Sequence, residues 1–216
     1  MTISYIIDKL DMKYIGYIDS DEFPPIISIH GSKPYPPVRL YHSEKKSIVA
    51  TFSEFAIPVT LVKELSEKLY SMVKEKQISK VISIGGIPEK TEDDKTVYAI
   101  ASTPDALKEA QKEGLNPVTE GVSAGVSALM LFHACESDIP DTNILVPVNP
   151  SIIDPEYAEL AINSINKLLK LNIDITELEK EAKEIEAKIR DMLKKSKETH
   201  DNYKNAVGVG APSMYA

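Results

Sequence analysis

Tryptophan is absent from this sequence, cysteine occurs once and arginine twice. With Cys135 alone, no intrachain disulfide can form and no cysteine-built zinc site fits one chain. A reducing, cytoplasmic setting is the simplest expectation. Arg39 and Arg190 stand against 23 lysines, although arginine is the residue that reads phosphates and base edges in bidentate fashion. Acidic residues outnumber basic ones 33 to 25, for a net charge of -8 and a pI of about 5.1. A nucleic-acid footprint needs the opposite sign, so DNA and RNA drop out as partners. Aromatics make up only 6% of the chain, too few for a base-stacking platform. No apolar run approaches the roughly 20 residues that span a bilayer. Met1 is followed by neither a basic start nor a long apolar segment with a cleavage site, so no membrane span and no secretory leader are expected.

What is present suffices for one good-sized domain with an appendage: 216 residues, 43% hydrophobic and 27% charged, enough for a substantial core. Residues 1–150 alternate helical and β-like stretches. Ile3, Ile6, Ile7 and Leu10 fall at helical spacing. Residues 14–18, 26–29, 38–42 and 48–52 are short, rich in β-branched or aromatic residues, and separated by Pro, Gly and Ser, as strands are. Pro58 opens a helix to about Lys76 with Leu61, Leu65, Leu69, Met72 and Val73 on one face. Residues 81–84 read as a buried strand that ends in a tight turn at Gly85-Gly86, and 97–101 as another strand. Ser102-Thr103-Pro104-Asp105 caps a helix running to about Gly114. Residues 125–134 form an apolar helix and 144–148 a last strand. Strands and helices alternating in this way predict an α/β body with a mixed sheet.

Pro150 and Pro155 mark a change to a helical end. Residues 156–171 read as one helix. Beyond it, Leu171, Ile175, Leu178, Ala182, Ile185, Ile189 and Met192 step by four and three, a heptad pattern held for three repeats. The stretch 174–198 carries 8 acids and 7 bases, so its outer faces are charged but nearly balanced. The apolar row fits either an amphipathic helix docked on its own body or a coiled-coil seam between subunits. After His200 the pattern stops. Residues 201–216 (DNYKNAVGVGAPSMYA) predict a flexible tail reaching on the order of 20–24 Å from its anchor.

Several groups of residues suggest chemistry. Gly121-Val122-Ser123-Ala124-Gly125 matches the G-x-S-x-G nucleophile elbow, with Asp138, Asp141 or Asp154 and His200 able to complete a triad in chain order. Pro117 and Glu120 interrupt the strand such an elbow needs, and small residues before a buried helix explain the segment equally as close packing. Gly85-Gly86 lacks the Lys-Ser/Thr of a phosphate loop. His30, His42, His133 and His200 have no metal-ligand spacing, and neither a metal nor a cofactor is expected. Cys135, at the end of an apolar helix, reads as a small core residue. Met214-Tyr215-Ala216 is different in kind: a hydrophobic residue, a penultimate tyrosine and a free carboxylate at the end of the tail. The carboxylate can pair with a lysine in a receptor pocket, the tyrosine offers ring and hydroxyl, and the methionine fills an apolar groove.

Phe23-Pro24-Pro25, Pro58 before its helix, the run from Val81 to Pro88 (VISIGGIP), Ala99-Ile100-Ala101-Ser102-Thr103-Pro104 and residues 121–131 occur in an order that resembles the proteasome assembly chaperone family, in particular its archaeal members, over most of residues 1–200. The terminal Met214-Tyr215-Ala216 resembles the hydrophobic–Tyr–any motif of proteasome activators. The resemblance implies a three-layer α/β/α sandwich like that of nucleoside phosphorylases, without catalysis. It also implies a homo-oligomer that binds the α-ring of the core proteasome without ATP, its tail inserting between adjacent α-subunits through Met214, Tyr215 and Ala216. On this basis the chain divides into a body at 1–150, a helical, heptad-patterned extension at 151–200 and the tail at 201–216. Leu171, Ile175, Leu178, Ile185, Ile189 and Met192 would form an oligomer seam. Family members begin with a strand and a glycine-rich turn that are not seen here, so a sheet strand is expected to lack its neighbour. The alternatives are a hydrolase or phosphorylase-like enzyme using the Ser123 region, and an oligomeric scaffold with no proteasome link.

Overall fold

A computed structural model of the chain describes residues 1–88, 95–137, 139–148, 155–178 and 180. The first helix, α1 (Thr2–Lys9), buries Tyr5 and Ile6 and closes at Asp11, whose φ of 45° lets the chain reverse. Strands β1 (Lys13–Tyr17), β4 (Val38–Ser43) and β5 (Ile48–Ser53) form an antiparallel sheet in the order β1-β4-β5. Between β1 and β4 lies a small hairpin of β2 (Ser28–His30) and β3 (Lys33–Tyr35). Gly31 and Ser32 both have positive φ, 54° and 64°, which is the two-residue turn that suits the twist of a hairpin. The second strand of that hairpin is absent from the sequence reading because Pro34 demotes the segment 33–35 as a strand.

Pro58 leads through a 3-10 turn into α2 (Val62–Glu75), whose buried Leu65, Leu69, Tyr70 and Val73 make one stripe. The second sheet has the order β6-β9-β7-β8, from β6 (Val81–Pro88), β9 (Asp141–Val148), β7 (Tyr98–Ala101) and β8 (Asn116–Pro117). Strand β9 runs parallel to β6 and antiparallel to β7, so the sheet is mixed. Helix α3 (Pro104–Lys112) starts as its residues dictate: the Thr103 hydroxyl accepts from the Ala106 N–H at 3.2 Å, with Pro104 in the first turn. Helices α4 (Val126–Cys135) and α5 (Pro155–Leu169) complete the set.

Two cores flank the second sheet. On one face Ala99, Ile144 and Val146 pack with Tyr5 and Ile6 of α1 and with Ala158, Ala161, Ile162, Ile165 and Leu168 of α5. On the other, α2 and α4 pack together through Leu65, Leu69, Tyr70, Val73, Met130 and Ala134, with Val81 and Ile139 against them. Helices on both faces make the three-layer α/β/α arrangement, and residues 141–147 of β9 are all buried. A strand covered on both sides in this way belongs to a layered α/β fold.

Gly85 and Gly86 do not form a tight turn. They lie within β6, and the reason for glycine is space. A Cβ on Gly85 would come within 2.9 Å of Leu145 Cδ2, and one on Gly86 within 2.7 Å of Val148 Cγ2. The apolar side chains of the paired strand fill the volume that side chains on β6 would need.

The core is continuous across residue 150. Lys170 ends α5 with a φ of 51°, and the Leu171 N–H donates to the Asn166 carbonyl at 2.9 Å, a helix-closing bond. Residues 171–175 lie outside any helix. The Asn166 amide clamps Ile173 by donating to its carbonyl and accepting its N–H, each at 3.0 Å. The Tyr5 hydroxyl donates to the Asp174 carbonyl at 2.7 Å. Leu171 and Leu178 are thereby buried in the core beside α1 and α5, and Ile175 packs against it. These contacts are within one chain. Ala182, Ile185, Ile189, Met192 and the whole of 201–216 lie outside the described residues.

Gly86→Ala should destabilise the protein by about 1–3 kcal/mol through overpacking against Val148. Gly121→Ala, where a Cβ meets Val118 only at 3.8 Å, should stay within about 0.5 kcal/mol of wild type. Urea denaturation of the two variants checks the difference.

Candidate functional site

The G-x-S-x-G segment is not an elbow. Residues 121–125 are all exposed and follow β8, a strand of two residues. A nucleophile elbow needs a buried strand that turns directly into a helix. Gly125 (φ 92°) instead stands at the N-cap of α4 with no side-chain capping bond. Among the described residues Ser123 has no hydrogen bond to a histidine or carboxylate, and Asp138, Asp154 and His200 lie outside them. No group of three or more His, Cys, Asp or Glu is gathered for a metal among the described residues. No helix there is long and apolar enough to cross a membrane.

The structure does bring together polar groups that sequence reasoning left apart. Asp141, Thr142 and Asn143 open β9 and are fully or almost fully buried. The Ser102 hydroxyl accepts the Asp141 N–H at 2.9 Å, and the Ser102 N–H donates to the Asp141 carbonyl at 3.0 Å, fastening β7 to β9 at that end. Both carboxyl oxygens of Asp141 and both amide atoms of Asn143 are without a partner, as is Oγ of Ser83, which lies level with Asn143 on β6. Burial pushes the Asp141 carboxyl up from 3.8 to about 7, because the charged form loses its water. On the α4 side, His133 stacks on Tyr70 at 5.4 Å with its Nε2 buried and unpartnered, and the Tyr70 hydroxyl pairs with Ser137. The available signal was the polar triplet Asp141-Thr142-Asn143 standing directly before the apolar residues 144–146.

A second polar feature lies in the first sheet. Arg39 is 2% exposed and boxed by the rings of Tyr35, Tyr41 and Phe52 at 5.3, 5.9 and 5.5 Å. Its guanidinium pairs with Glu54, whose carboxylate also accepts from His30 Nε2 at 2.7 Å. These bonds anchor the β2–β3 hairpin to the sheet. The arginine and the glutamate are buried, the charge of Arg39 is held by aromatic faces, and the His30 ring closes the group at the surface. Arginine scarcity was the clue, since one of only two sits here.

The expected binding residues Met214, Tyr215 and Ala216 lie outside the described residues, as do the seam positions Ile185, Ile189 and Met192. On α4 Phe132 and Cys135 are exposed, so Cys135 is not the small core residue that its apolar neighbours predict.

Comparison with known proteins places this geometry. The profile of the PAC2 family matches residues 1–193. An uncharacterized protein of Methanocaldococcus jannaschii is 27% identical over 205 residues, covering 92% of this chain and 84% of that one. The crystal structure of Pyrococcus furiosus PbaA, an archaeal homolog of proteasome-assembly chaperone, superposes with a TM-score of 0.81 at 29% identity, over 91% of this chain and 87% of that one. Pyrococcus furiosus PbaB, an archaeal proteasome activator, gives 0.71 at 19% identity over 88% and 86%; this last likeness is one of fold.

Two outcomes follow from the buried polar groups. Glu54→Ala strands a buried guanidinium and should cost about 3–5 kcal/mol, while Arg39→Met with Glu54→Leu should cost far less; equilibrium denaturation reads both. The folded Asp141 carboxyl binds its proton more tightly than the unfolded one. Its stabilising effect is complete below about pH 4 and is lost as pH climbs through about 7. Wild type should therefore lose on the order of 3 kcal/mol of stability between about pH 5 and pH 8, and Asp141→Asn should flatten that slope.

Proposed function

The chain belongs to the PAC2 family, and on that premise we propose that it is a proteasome assembly chaperone that docks Met214-Tyr215-Ala216 into pockets between α-subunits of the core proteasome. The observation that carries the reading is the likeness to PbaA at 29% identity over 91% of this chain, joined to the terminal sequence Ser-Met-Tyr-Ala. Proteasome assembly chaperones are a non-enzymatic class. The exposed Ser123, with no elbow beneath it, gives the hydrolase alternative nothing to work with.

In this reading the α/β body is a platform, and residues 201–216 carry the contact away from it. A three-residue plug binds weakly on its own: one carboxylate–lysine pair, one tyrosine ring with its hydroxyl, and one methionine in an apolar groove. A homo-oligomer that presents several such tails to one ring converts later docking events into intramolecular ones, raising affinity about 10²–10⁴-fold where the tails span the sites. The net charge of -8 keeps the bodies apart from other acidic surfaces, so the contact is concentrated in the tails.

Deleting residues 214–216, or Tyr215→Ala, should lower co-sedimentation with core proteasome by more than about tenfold while circular dichroism and melting temperature stay at wild-type values. Undiminished co-sedimentation of both variants would remove the docking mechanism.

A further inference from the structure

Alternation along β9 sorts its residues between the two faces of the sheet. Ile144 and Val146 pack into the core beside α1 and α5, so Asp141, Asn143 and Leu145 lie on the side covered by α4. On β6, Ile82 and Ile84 pack against that same core while Val81 packs with α2 and α4, which puts Ser83 and Gly85 on the α4 side as well. Ser83 and Asn143 are register partners on neighbouring strands, about 4.8 Å apart. Asp141 stands two residues along the same face, about 7 Å away. A Cβ on Gly85 would lie 3.6 Å from Asn143 Oδ1, so the amide leans over β6. Ser83 and Gly85 supply little bulk opposite it.

Ser83 Oγ, Asn143 Oδ1 and both carboxyl oxygens of Asp141 therefore share one layer, all buried and all without a hydrogen-bond partner, as is Asn143 Nδ2. Asp141 and Asn143 are 0% exposed. A buried carboxylate is ordinarily paired with a base or held on a metal ion. No base among the described residues pairs with Asp141. Lys80, which precedes its register partner Val81, is taken by Glu109 at 2.6 Å. Four oxygens without a base are hard donors, of the kind that replace the hydration shell of an alkali or alkaline-earth ion. Charge decides between the two. One carboxylate neutralises a monovalent cation, whereas a divalent ion would leave a buried positive charge uncompensated.

We propose that Ser83, Asp141 and Asn143 hold an alkali-metal cation, Na+ or K+, between β6 and β9 beneath α4. The ion binds the ionised carboxylate and takes the place of the water that this layer excludes. It ties together two strands that come from positions about sixty residues apart. It also accounts for polar residues at the head of a doubly covered strand, where apolar side chains of similar volume would be the more stable filling if no ion were held. The cation belongs to the α/β body and is independent of the docking function proposed for the tail.

Thermal melting of the full chain at pH 8, in the chlorides of Na+, K+ and tetramethylammonium at one ionic strength, tests it. The Asp141 carboxyl, pushed up to about 7, is mostly ionised at that pH, and equal ionic strength holds the screening of the other charges constant. In tetramethylammonium the loss of stability toward pH 8 set out above should appear in full. Na+ or K+ at about a hundredfold its Kd should raise the melting temperature by about 5–10 °C over that, saturating with concentration. Asp141→Asn should melt at one temperature in all three salts. Ser83→Ala, which keeps the charge and removes one oxygen, should need at least about tenfold more ion for half the shift, and it reads the site even if Asp141→Asn fails to fold. Equal melting temperatures of the wild type in all three salts overturn the proposal. A shift that a folded Asp141→Asn or Ser83→Ala leaves unchanged overturns it too. So does a shift from Ca2+ at the same ionic strength that exceeds those from Na+ and K+ and is lost in Asp141→Asn, because the charge argument excludes a divalent ion.

Discussion

The covering of strand β9 on both faces is the constraint on which the rest of the structure depends. Residues 141–147 are buried throughout, and a strand of that kind is stable only when helices lie on each side of its sheet. Helices α1 and α5 meet Ile144 and Val146 on one face, and α4, backed by α2, closes the other. The same constraint explains the glycines of β6, which yield their side-chain volume to Leu145 and Val148. It also accounts for the raised proton affinity of Asp141, since a carboxyl at the start of a doubly covered strand has lost its water.

Much of this was legible from the residues. The stripe of α2, the Thr103-Pro104 cap of α3 and the apolar α4 follow from periodicity and capping chemistry, and all stand where those signals put them. Gly85-Gly86 misled because glycine pairs are usual in turns, whereas here the requirement was lateral room that only the partner strand reveals. Strand β3 was hidden by Pro34, which an edge hairpin tolerates. The row from Leu171 shows a limit of periodicity: Leu171, Ile175 and Leu178 step like a heptad, yet residues 171–175 lie outside any helix and the apolar side chains return to their own core. An apolar residue every three or four positions states that one side is buried, not against what. In the buried group of Asp141, Asn143 and Ser83 the triplet 141–143 was the one signal, and Ser83 could not be joined to it because its strand comes from a position about sixty residues away.

Acidity, which first served to exclude nucleic acid, takes on a second role in the folded molecule. A net charge of -8 keeps the bodies from other acidic surfaces, and in the proposed docking the apolar contact falls to the terminal Met214-Tyr215-Ala216. Association of several copies, as proposed, would multiply the weak binding of single tails.

The central claim is that the terminal residues bind core proteasome and that copies of the chain act together in doing so. Equilibrium binding to immobilised core proteasome, measured for the intact chain, for a free peptide of residues 201–216 and for the chain lacking residues 214–216, tests it most directly. The account predicts tight binding for the first, binding weaker by about 10²-fold or more for the second, and none for the third. Equal binding by the intact and shortened chains would contradict it.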